Sequence, residues 1–167
     1  MQETPQEYKQ RIFGYLGGND PVKVQSATSK KLERLISRAS AAKLRKQPAP
    51  GKWSVTEILA HLADVELVVG YRIRTILGAP GTAIQAFDQD KWAQAMSYSK
   101  SDARRSLERF IGLRNANLDL LKSLSPAQWK YHGMHAERGE ESIETKAKLA
   151  AGHDLNHLSQ IERIVSQ

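Results

Sequence analysis

The chain has 167 residues, 40% of them hydrophobic, a net charge of +7 and no cysteine. That length suits one domain over residues 1–167 with one core. The missing cysteine excludes disulfides, thiolate nucleophiles and sulfur-ligated zinc, so any metal must take nitrogen or oxygen donors.

"TPQE" at 4–7 opens the chain's first predicted helix, 4–17, with Thr4 as N-cap, Pro5 in the first turn and Glu7 reaching back. Its flanks lack the basic and then apolar stretches of a secretion signal, so a cytoplasmic protein is the expectation. Asp20-Pro21 starts a second helix, 21–39. From 23 to 52 there are nine Lys or Arg and a single acid, Glu33. This is either a solvated face or a surface for anions, and it has no interleaved aromatics of the kind that stack on single strands, so nucleic acid is not the expected partner. "SVTE" at 54–57 is a second capping box. Trp53 and Ile58 stand at the hydrophobic-staple positions, and a helix runs from 54 to 78. Short turns are expected near 87–93 and 126–130, with a helix over 100–123 between them. A short strand pair fits 130–140, and a last helix covers 142–166. No segment is apolar for long enough to span a membrane. The fold class is all-α: an up-down four-helix bundle of 21–39, 54–78, 100–123 and 142–166, with an extra N-terminal helix.

On the last helix, Ile143, Ala147, Ala150, Leu158, Ile161 and Val165 form one stripe. His157 lies roughly 60° and His153 roughly 100° from its centre, on the same flank and one turn apart. Two imidazoles so spaced can share an ion, although H-x-x-x-H also describes a pair of core histidines. On 54–78 the stripe is Val55, Ile58, Leu59, Leu62, Val69, Ile73, Ile76 and Leu77, and His61 stands on its edge. If the two helices are neighbours, His61 reaches the other pair. His132 and His135, in "YHGMHAERGE", read as surface or pocket-rim residues. Glu66 and Asp154 fall near the centres of apolar stripes, where a carboxylate needs a partner. They either orient a metal-bound imidazole or accept a proton, or else pair with Arg72, Arg74 or a tyrosine.

"GKWSVTEILAHLADVELVVGYRIRTIL", followed much later by "HDLNHLSQIERI", resembles the DinB-like superfamily in its damage-inducible and metal-dependent-hydrolase branches. The "DPV" helix start, the "QPAPGKWSV" lead-in and the "HLADVE" helix extend the resemblance over most of the chain. It implies a four-helix bundle, often a homodimer, with a divalent metal (zinc or nickel in many members) on three histidines. The matching positions here are His61, His153 and His157. The resemblance further implies a small-molecule substrate, and related branches use low-molecular-weight thiols such as bacillithiol or mycothiol. The expected function is therefore metal-dependent activation of water or of an external thiol, as a hydrolase or a thiol S-transferase. The alternative is a non-catalytic metal- or ligand-binding bundle, or a stress-related dimerisation module.

Overall fold

The computed structural model describes residues 3–166. Helix α1, Pro5–Leu16, and helix α2, Pro21–Ser37, begin where the sequence signals them: Thr4 and Glu7 close a reciprocal capping box, and the Asp20 side chain accepts from Lys23 N–H. A short helix that the sequence reading did not anticipate, α3, Ala41–Arg45, follows. Helix α4, Val55–Gly78, starts on the Ser54–Glu57 capping box. Strand β1, Ala83–Ile84, and helix α5, Gln89–Ala95, lead to α6, Ala103–Ser123, which starts at the Asp102 cap rather than at residue 100. Ser125 and Gln128 make reciprocal capping bonds, and the short turn expected near 126–130 is a single 3-10 turn, Gln128–Lys130. Strands β2, His132–His135, and β3, Gly139–Ser142, form the expected hairpin. It runs directly into α7, Ile143–Ser166.

Helices α2, α4, α6 and α7 form a four-helix bundle, and α1 packs along α7 as the extra N-terminal helix. Around the bundle the order is α2–α6–α4–α7, so α2 and α4, consecutive staves in the chain, lie diagonally opposite. Two apolar clusters fix the directions. One joins Leu32 and Ile36 of α2, Val55 to Ala63 of α4, Ala103 to Phe110 of α6 and Leu158 to Ile164 of α7. The other joins Ile73 and Ile76, Leu121, and Ile143 and Ala147. Hence α2 and α7 run one way and α4 and α6 the other, giving up, down, down, up along the chain. The long 79–102 connection carries the chain back between the two parallel staves. The sheet is minor: β1 pairs parallel with β2, and β2 antiparallel with β3.

Two consequences position the site. Helices α4 and α7 are antiparallel neighbours, so the flank of one faces the flank of the other. Helix α1 lies so close to α7 that a Cβ on Gly152 would come 2.1 Å from the Ile12 carbonyl oxygen, and only glycine fits there.

Candidate metal centre

Helix α4 supplies His61, and α7 supplies His153 and His157 one turn apart; all three are buried. The structure brings them together. His153 Nε2 lies 3.0 Å from His61 Nε2 and 3.1 Å from His157 Nε2. One donor atom from each of the three lies within 4.8 Å of the others. A neutral ring nitrogen carries one in-plane proton or one in-plane lone pair, so His153 Nε2 cannot make two good hydrogen bonds. Three nitrogens so placed instead fit the geometry of a metal's donor set: tetrahedral bonds of about 2.0–2.1 Å set ligand nitrogens roughly 3.3 Å apart.

The protonation states agree with this. Burial, followed by the charge of His157, lowers His61 to about 3. Burial lowers His157 to about 4, with partial relief from its hydrogen bond to Gln160. Burial and its two imidazole neighbours hold His153 well below the ordinary range. All three are therefore neutral at pH 7 and have lone pairs to give. His157 Nδ1 is 3.0 Å from the Gln160 amide oxygen, which can only accept, so the proton sits on Nδ1 and Nε2 keeps its lone pair. His61 Nδ1 is buried without a hydrogen-bond partner among the described residues, and the Trp53 ring packs against this imidazole at 5.0 Å between centroids.

Glu66 and Asp154, each 2% exposed, meet at Arg114 of α6. Arg114 Nη1 and Nη2 donate to Asp154 at 2.5 and 3.0 Å, and Nη2 donates to Glu66 at 2.8 Å. Thr28 of α2 also donates to Asp154, and Asn117 donates to Glu66. Burial works against the guanidinium charge, but Asp154 and Glu66 more than offset it and raise the Arg114 pKa. Both carboxylates are thus occupied by an arginine other than Arg72 or Arg74, the arginine partners weighed from sequence. Arg114 carries the same signal as its two acids. It interrupts the buried run Leu107, Phe110, Leu118 and Leu121, as Glu66 and Asp154 interrupt those of α4 and α7.

His132 is partly exposed on β2, but His135 is 3% exposed, which removes it from the surface. Strand alternation turns His135 inward beside Gly133, while Met134 faces out. The hairpin also carries Glu141, which is fully buried between Arg138 (2.7 Å) and Lys146. Burial alone would raise the Glu141 carboxyl, but hydrogen bonds from Arg138 and Lys146 hold it down to about 2. A cavity of about 300 Å³ opens from His61 and His153 towards this group, with Arg72, His135, Arg138 and Lys146 in its wall. Of the basic stretch 23–52, eight of the nine cations are exposed and Lys43 is half-buried, which makes this face solvated.

The family model described as the DinB superfamily matches residues 26–161, a span that contains all three histidines. The chain belongs to the DinB superfamily. Its relatives there include an Oceanobacillus iheyensis protein named "Putative metal-dependent hydrolase OB0413", 25% identical over 136 residues, or 81% of this chain and 78% of that one. A second O. iheyensis protein of the same description, OB0782, is 28% identical over 111 residues, which are 66% of this chain and 64% of its own length. The solved structure of YfiT from Bacillus subtilis, described as having an unusual four-helix bundle topology, matches with a TM-score of 0.77. The match covers 97% of this chain and 89% of that one at 19% identity, and it establishes the four-helix bundle as the fold.

Proposed function

We propose that this protein is a metal-dependent enzyme in which His61, His153 and His157 hold a divalent ion that activates water or a thiol supplied from outside. The observation behind this reading is the convergence of three neutral Nε2 atoms, from two helices, on one buried point. Imidazole donors suit zinc or nickel. A divalent ion there supplies Lewis acidity, which brings the pKa of a water or thiol towards neutrality.

The chain's own residues do the rest. Gln160 fixes the tautomer of His157, and the Trp53 ring shields one side of His61 from water. Glu66 and Asp154 act as positioning residues through Arg114, since their carboxylate oxygens are already engaged. They lock α4 and α7 at the separation that makes the three imidazoles meet. Relatives named as metal-dependent hydrolases support the hydrolytic version. Without a cysteine of its own, a thiol-transfer version takes its nucleophile from solution.

Elemental analysis of untagged protein tests the centre. About one divalent ion per chain is expected, lost in His61→Ala; a protein that neither carries nor takes up an ion overturns the reading. Turnover of an activated ester or halide with and without a low-molecular-weight thiol then separates the two versions, because hydrolysis proceeds without the thiol.

A further inference from the structure

The β2–β3 hairpin leaves one buried donor unused. His135 Nδ1 accepts from the Glu137 backbone N–H at 3.2 Å, so the proton of the neutral ring sits on Nε2. Burial, followed by the Arg138 charge, lowers this imidazole to about 4, so it is neutral at pH 7. His135 Nε2 is buried and has no hydrogen-bond partner among the described residues, and the residue lines the cavity that reaches His61 and His153. Its neighbours on that wall are donors as well. Arg72 spends one N–H on the Gln85 carbonyl, and Lys146 spends one on Glu141. Arg72, Arg138 and Lys146 bring three positive charges; Glu141 is the buried acid among them, while Glu137 and Glu3, the latter paired with Arg11, are exposed members of the cavity lining.

Helix geometry makes this a designed end of the cavity. Arg72 lies eleven residues after His61 on α4, and Lys146 lies seven before His153 on α7. At about 100° per residue these are roughly three turns and two turns along the same faces. Because α4 and α7 are antiparallel, both cations lie at the same end of the bundle, about 10–16 Å along the helices from the histidines.

We propose that Arg72, His135 and Lys146 form an oxyanion-recognition site that takes a carboxylate or phosphate of a small-molecule substrate and directs its other end to the three histidines. The assignment of that reactive end rests on the proposed metal centre, whereas the binding of the anion does not. The site favours a ligand that is acidic at one end, since the His135 N–H and the remaining N–H groups of Arg72 and Lys146 bond a charged acceptor more strongly than a neutral carbonyl.

The test is a titration of metal-free, untagged protein at constant ionic strength, followed by the NMR signals of its imidazoles. The probes are glutarate, inorganic phosphate and uncharged dimethyl glutarate. A saturable shift of the His135 ring with glutarate or phosphate, and none with the diester, is expected; the anion that saturates at lower concentration identifies the preferred group. His135→Leu removes the donor without disturbing an internal partner other than an exposed loop N–H. It is expected to weaken anion binding about tenfold or more with no fall in melting temperature. No saturable His135 shift with either anion, equal binding of the diester, or wild-type affinity in His135→Leu would overturn the proposal. Zinc uptake measured on the same sample reports on the histidine centre separately, so the two can fail independently.

Discussion

At the scale of single residues, the site depends on which ring nitrogen holds a proton. Gln160 decides this for His157 by accepting from Nδ1. Gln160→Ala is expected to leave the fold intact and to weaken metal affinity about 10- to 100-fold, as measured by competition with a chromophoric chelator. An unchanged affinity would show that the imidazole is held by packing alone. The three histidines were legible in the sequence because two share a helix flank and the third stands on a stripe edge. Gln160, one turn beyond His157, was overlooked although it lies at the spacing where side chains on a helix meet. His135 lines the cavity, in keeping with its pocket-rim reading, but the sequence left the surface alternative open because four residues of strand give too little alternation to show which face is inward.

At the scale of elements, a single guanidinium ties the bundle together. Arg114 of α6 donates to Glu66 of α4, to Asp154 of α7 and to the Gln25 carbonyl of α2. A buried ion cluster is costly to assemble, but removing one member strands the others. Arg114→Met is expected to cost about 3–5 kcal/mol in urea unfolding, because two buried carboxylates lose their partner. The companion variant with Arg114→Met, Glu66→Leu and Asp154→Leu removes the charges together and is expected to recover much of that loss. If the single variant is as stable as the parent, the cluster does not hold the helices. The sequence marked the two acids as out of place from their position in apolar stripes. It left the partner open, because α6 contributes no histidine and nothing local assigns it a neighbour.

At the scale of the whole molecule, the packing that keeps the three histidines neutral also sets the protein's response to acid. Their folded pKa values, about 3 for His61 and about 4 for His157, lie below the ordinary 6.5. Above pH 6.5 both states are neutral and these groups contribute nothing to stability. As the pH falls below 6.5 the unfolded chain takes up protons that the folded chain refuses, and stability drops by about 1.4 kcal/mol per unit for each such histidine, down to its folded pKa. Urea unfolding of metal-free protein at pH 7, 6 and 5 is expected to show this decline and to show a shallower one in His61→Leu; equal slopes would contradict it. The sequence by itself determined the local features: the capping boxes, the apolar stripes, the helix limits to within a few residues and the flanks on which the histidines stand. These follow from the 3.6-residue period and from side chains close to the backbone they cap. Only the tertiary structure decided the neighbours. The diagonal placement of α2 and α4, the meeting of Glu66 and Asp154 at Arg114, and the inward turn of His135 all depend on contacts between residues tens of positions apart, which no local period encodes.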